Sequence, residues 1–178
     1  MSKNGLILLT PTSASSSEGT TTVNANGSIS LTNVQYLTIN GVFSADYDNY
    51  MLVAHYDPAS LSGWSLRLRS GSTTDSGSNY TTEVLYADST TVGAYRIGSY
   101  SYWIGNYADT TANGCVYYLY GPYLAQPTAI RTVDAGSRNG AYINDTAGTH
   151  SLSTSYDGFY MWIGAACTGR IAVYGMRK

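Results

Sequence analysis

Charge is scarce in this sequence. Only 11% of its 178 residues are Asp, Glu, Lys or Arg, where a globular domain carries about a quarter. Lysine occurs only as Lys3 and Lys178, so the body of the chain carries its positive charge as arginine. That argues against Schiff-base and P-loop lysine chemistry. Nine basic residues face eleven acidic ones, for a formal net charge of -2, and no net positive field is available to neutralise a phosphate backbone. Nucleic acid is therefore not an expected partner. Glutamate is limited to Glu18 and Glu83, which leaves little for the paired carboxylates of a glycosidase.

Histidine, cysteine and long apolar runs are equally sparse. The two histidines are His55 and His150. His55 alternates with Met51 and Val53 on one side of a strand-like segment and reads as a packed ring. His150 closes Ala147-Gly148-Thr149-His150 and reads as a turn residue at a strand entrance, because no Gly-x-Ser-x-Gly elbow accompanies it. The two cysteines, Cys115 and Cys167, sit far apart in apolar surroundings and read as buried reduced thiols. No zinc-type spacing occurs. Asp46, Asp48 and Asp57 lack the loop pattern of a calcium-binding hand and read as turn residues. Neither a metal nor a cofactor is expected, and no enzymatic activity. The triplets beginning at Asn26, Asn79 and Asn144 match a glycosylation pattern by chance in a Ser/Thr-rich chain. The apolar run Leu6-Ile7-Leu8-Leu9 is too short for a secretory signal, and no segment is long enough to span a bilayer. The expectation is a product folded in the cytosol where it is made, without membrane insertion.

What the chain has in abundance is tyrosine: eighteen, against two phenylalanines. Tyrosine offers a stiff contact surface with a polar tip, so rings and hydroxyls replace lysine and glutamate on the outside. Such a surface suits touching a partner. Residues 11 to 30 are Ser, Thr, Ala, Gly and Asn with almost no large apolar side chain, which predicts a linker or extended arm over residues 1–30. From residue 31 to 178 the pattern is one domain of short alternating segments, without helical spacing beyond two turns. In Trp64-Ser65-Leu66-Arg67-Leu68-Arg69 the apolar residues face one way and Ser65, Arg67 and Arg69 the other. Residues 158–164 place Phe159, Met161 and Ile163 opposite Tyr160 and Trp162, predicting a strand covered on both faces. Further strands are predicted over 34–40, 50–56, 80–87, 99–106, 115–120, 129–134 and 169–175. Asn-Gly pairs beginning at Asn40, Asn113 and Asn139 predict tight turns, and 70–79 reads as a long exposed loop. The fold class predicted is all-β, a single β-sandwich of jelly-roll type with an extended N-terminal arm. The aromatic cluster Tyr100, Tyr102, Trp103 and Tyr107 is the leading candidate contact site; Tyr117, Tyr118, Tyr120 and Tyr123 form a second group.

Several runs resemble a family of tailed-bacteriophage virion structural proteins of the minor tail or tail-fibre type. They are Leu37 to Phe43 followed by Tyr47-Asp48-Asn49-Tyr50, Leu66-Arg67-Leu68-Arg69 with Ser70-Gly71, Tyr120 to Thr128, Gly148 to Phe159, and the end Gly169 to Arg177. The resemblance implies a particle component in the virion, at the tail or as a capsid decoration, that meets other virion proteins and carries no catalytic residues. On it rest two expectations: a homotrimer, and an anchor in which Leu6, Ile7, Leu8 and Leu9 add to a partner's sheet edge. The alternative is a carbohydrate-binding module that uses Tyr100, Tyr102, Trp103 and Tyr107 to grip host surface glycans.

Overall fold

A computed structural model describes residues 5–111, 113–137 and 140–177. Among these there are fourteen strands and no helix. They are β1 (Leu6–Leu9), β2 (Ser13–Ser16), β3 (Thr20–Val23), β4 (Ile29–Asn40), β5 (Asn49–Pro58), β6 (Ser62–Ser70), β7 (Thr73–Thr74), β8 (Tyr80–Asp88), β9 (Thr91–Tyr100), β10 (Trp103–Ala108), β11 (Asn113–Tyr120), β12 (Thr128–Ser137), β13 (Ala141–His150) and β14 (Gly158–Met176). Every pairing is antiparallel, and the main path runs β10-β6-β14-β5-β11-β12-β13-β8-β9.

One sheet becomes a sandwich because its longest strands bend. The first part of β14 lies between β6 and β4 (Tyr160 opposite Arg67 and Thr38), whereas its second part pairs with β5 along Cys167 to Met176. The register slips between Trp162 and Cys167, and Gly164 sits there with φ +67°, where a Cβ would come within 3.1 Å of the Gly63 carbonyl oxygen. On β4, Asn33 adopts φ 54°. Bends and bulges of this kind let one strand serve two sheets. The first wing is thus β10-β6-β14-β4-β2 and the second runs from β14 through β5 to β9. The wings are bridged across the core: Asn144 Nδ2 donates to the Gly105 carbonyl at 2.9 Å, and Tyr117 Oη to Asn106 Oδ1 at 3.0 Å. This strand order does not divide into the two four-stranded sheets of a jelly roll.

The core follows the period of two. Tyr50, Leu52, Ala54 and Tyr56 of β5 face in, as do Trp64, Leu66 and Leu68 of β6 and Cys115, Tyr117 and Leu119 of β11. Each such large side chain contributes about 1.5–3 kcal/mol. Six of the eighteen tyrosines are therefore buried, some with the hydroxyl satisfied where the chain bends back, although Tyr56 Oη has no hydrogen-bond partner among the described residues. Tyr50 Oη donates to the Ser44 carbonyl at 2.8 Å, and Tyr80 Oη accepts from Leu68 N–H while donating to the Asp75 carbonyl, both at 3.0 Å.

Several expectations are corrected. The described part of the arm is not free: β1 pairs with β14, and β2 and β3 pair with β4. Backbone pairing needs no apolar side chains, which is why a Ser/Thr run can dock. His55 is exposed, because the inward set on β5 is Tyr50, Leu52, Ala54 and Tyr56. Trp162 is exposed and not covered on both faces. Asn113-Gly114 opens β11 and pairs with β5 and β12 instead of turning, while Asn40-Gly41 does end a strand, with Gly41 at φ 63°. Asn139 lies outside the described residues. The segments predicted at 158–164 and 169–175 are one strand, the segment at 99–106 is broken between β9 and β10, and β13 and most of β9 went unpredicted. Both cysteines are free and buried. Burial pushes the Cys167 thiol up to about 12 and that of Cys115 well above its ordinary value.

Candidate functional site

The predicted cluster divides at the corner between β9 and β10. Trp103 belongs to the core: it is 1% exposed, its Nε1 donates to the Thr149 carbonyl at 3.1 Å, and its ring meets Tyr80 edge-on at 5.1 Å. Gly148 leaves the room, since a Cβ there would lie 2.6 Å from the indole. Register explains the correction: Trp103 opens β10 opposite the buried Leu66 and takes the same inward face. Tyr107 is half-buried on β10, edge-on to Tyr142 at 6.5 Å. Tyr100 and Tyr102 remain outside as a pair, with rings 4.5 Å apart and hydroxyls hydrogen-bonded at 2.9 Å.

Beside them the outer face of the first wing forms a groove that the sequence reading did not assemble. Antiparallel register sets Tyr160 against Arg67 on one side and Thr38 on the other, and Trp162 against Ser65 and Tyr36. Tyr36, Ser65, Arg67, Tyr102, Tyr160 and Trp162 line a depression of about 230 Å³. It continues over Tyr36 and Tyr160 into a second of about 330 Å³ floored by Thr38 and edged by Ser15, Ser16 and Ser17 of the N-terminal arm. Trp162 is 38% exposed and stands edge-on to Tyr102 at 6.4 Å. The Arg67 guanidinium lies 5.5 Å from the Tyr102 ring centre and 5.9 Å from that of Tyr160, within reach of a cation-π contact. Its Nε donates to the Ser101 carbonyl at 2.9 Å and its Nη2 reaches Ser101 Oγ at 3.4 Å. Among the described residues no carboxylate pairs with it. Burial, reinforced by the hydrogen bond to Tyr100, pushes the Tyr102 phenol up to about 12, and burial also raises that of Tyr160. Both stay neutral at physiological pH, able to donate and accept.

The signals for this groove were present but unconnected. The wet side of Trp64–Arg69 pointed to Arg67, yet only the pairing register says which tyrosines flank it. Leu6, Ile7, Leu8 and Leu9 lie elsewhere, with β1 adding to the edge of this chain's own β14.

His150 also departs from expectation. It is the last residue of β13, fully buried, and its Nε2 donates to Asp75 Oδ2 at 2.5 Å. Asp75 further accepts from Gly77 N–H and Asn79 Nδ2. Burial pushes the Asp75 carboxyl up, but the hydrogen bonds from Gly77, His150 and Asn79 together outweigh it and hold it below its ordinary value. The pair ties the 70–79 loop to the body, and Arg69 assists by bonding the Ser72 carbonyl and Thr74 Oγ1. Among the described residues no three His, Cys, Asp or Glu side chains converge as metal ligands.

No known protein family matches this chain, and no curated protein does. Among solved structures it is similar to the carbohydrate recognition domain of Emp47p in a monoclinic crystal form, at 8% identity and a TM-score of 0.35, with 96% of each chain covered.

Proposed function

We propose that this β-sandwich binds glycans in the groove on the outer face of its first wing. The observation that carries the reading is the exposed Trp162 ring standing beside Tyr102, over a floor of Tyr160 and Arg67. Aromatic faces stack on the apolar faces of sugar rings, and neutral phenols with serine and threonine hydroxyls exchange hydrogen bonds with sugar hydroxyls. The two depressions share Tyr36 and Tyr160, which suits an oligosaccharide better than a single sugar. An arginine without a carboxylate partner among the described residues suits a sugar bearing a carboxylate. The test is a glycan array probed with the wild type, Trp162→Ala and Tyr102→Ala. Binding of an oligosaccharide weakened at least about tenfold by either substitution, which is about 1.4 kcal/mol, supports the site. Silence across the array removes it.

The second reading is a particle component that acts by contact alone, in line with the sequence resemblance to phage virion proteins. It is favoured by one observation, the apolar outer face of the second wing, where Leu85, Ile143 and Val133 are 57%, 60% and 45% exposed.

A further inference from the structure

Strand β9 closes one end of the sheet and pairs, among the described residues, with β8 on one side only. None of its ten residues is buried, and Val92 is 80% exposed. The cause is the unequal width of the wings. The first wing ends at β10, which lies over β8, β12 and β13, so β9 extends past its edge.

Exposed edge strands are ordinarily blunted by short length, proline, lysine or a bulge. From Thr91 to Ile97 this one runs in unbroken register with β8 and contains neither proline nor lysine. Its one charge, Arg96, is engaged with Glu83 at 3.9 Å. The surface beside it continues the apolar strip through Leu85 and Ile143.

We propose that β9 pairs antiparallel with β9 of a second copy across a two-fold axis at Tyr95. Residues opposite one another in an antiparallel pair point to the same face, so a two-fold axis normal to the sheet must pass through a residue and not between two. The two choices that engage most of the strand are Tyr95 and Arg96. An axis at Arg96 sets two guanidinium groups directly opposite, which destabilises, whereas an axis at Tyr95 makes an aromatic cross-strand pair and sets each Arg96 against Ala94 of the other copy. Self-pairing needs no other component, and it joins the two apolar strips into one face.

The test is disulfide trapping in the full chain. In an antiparallel pair, facing Cα atoms lie about 4.5–5.5 Å apart, within disulfide reach. Tyr95→Cys then gives a covalent dimer on mild oxidation, while Val92→Cys, which faces Gly98 of the other copy, does not. The native thiols do not interfere, being buried. Because both substituted positions are on a strand without buried side chains, the fold tolerates them, and an unchanged melting temperature verifies this. A second variant, Val92→Lys with Ala94→Lys, yields a monomer by light scattering where the wild type is a dimer. A wild type that is monomeric at tens of micromolar, or equal trapping of the two cysteine variants, overturns the proposal. Neither result bears on the groove of the first wing.

Discussion

Asp134 sits on β12 inside the sandwich, 3% exposed, and neither carboxyl oxygen has a hydrogen-bond partner among the described residues. Burial pushes its carboxyl from the ordinary 3.8 up to about 7; the nearby amides of Tyr107 and Asn144 oppose this without reaching hydrogen-bonding geometry. A carboxyl raised in the folded state is protonated there and ionised in the unfolded chain between the two values. Folding thus takes up a proton, and stability falls as pH rises through that window. The gap from 3.8 to about 7, at about 1.4 kcal/mol per pH unit, sets the loss at about 4 kcal/mol. Asp134→Asn keeps the shape and removes the charge. Urea denaturation from pH 4 to pH 8.5 is the assay. The wild type should lose stability steadily up to pH 7 and level off above it, while the variant loses much less over the same range. At pH 8 the variant should be the more stable by up to about 4 kcal/mol. A wild-type profile that is flat between pH 4.5 and pH 7, or a variant destabilised equally at every pH, would refute the reasoning.

Two further outcomes follow from the geometry. Trp103→Ala, which empties a core site, should cost about 3–5 kcal/mol, whereas Trp162→Ala should stay within about 0.5 kcal/mol of the wild type; thermal melts of the two proteins separate core from surface tryptophan. His150→Phe removes the donor to Asp75 and should cost about 1–3 kcal/mol near neutral pH, with faster hydrogen exchange at residues 71–79. Since the Asp75 carboxyl is held below 3.8, the contribution of this pair is present above that value, and the gap between variant and wild type should narrow as pH falls through the lowered one.

The sequence announced the class of fold more clearly than its layout. Strong alternation at Trp64 to Arg69 gave a strand with the correct inward face, because three large apolar residues leave little choice. β13 escaped notice for the opposite reason: Ala141 to His150 holds Tyr142 and Ile143 but is otherwise small or polar, and its inward positions include Asn144 and Thr146. The bend in β14 depends on a single glycine with positive φ, which reads in sequence as a strand terminator. Of the predicted cluster, Tyr100 and Tyr102 lie outside and Trp103 is buried, because the chain corner before β10 resets which face each neighbour takes. Tyr160 and Trp162 share a strand face, but Arg67 lies more than ninety residues before them, and only the register of β14 against β6 brings it beside them.

The three tryptophans offer the most direct test of the glycan site. Trp64 and Trp103 are buried at 1% exposure each, and Trp162 alone lies in the groove. Their indole N–H resonances, assigned with Trp162→Phe, can be followed as an acidic oligosaccharide selected on the array is added. Binding in the groove gives a saturable shift of the Trp162 signal while those of Trp64 and Trp103 stay in place. Binding that leaves the Trp162 resonance unmoved would contradict this placement.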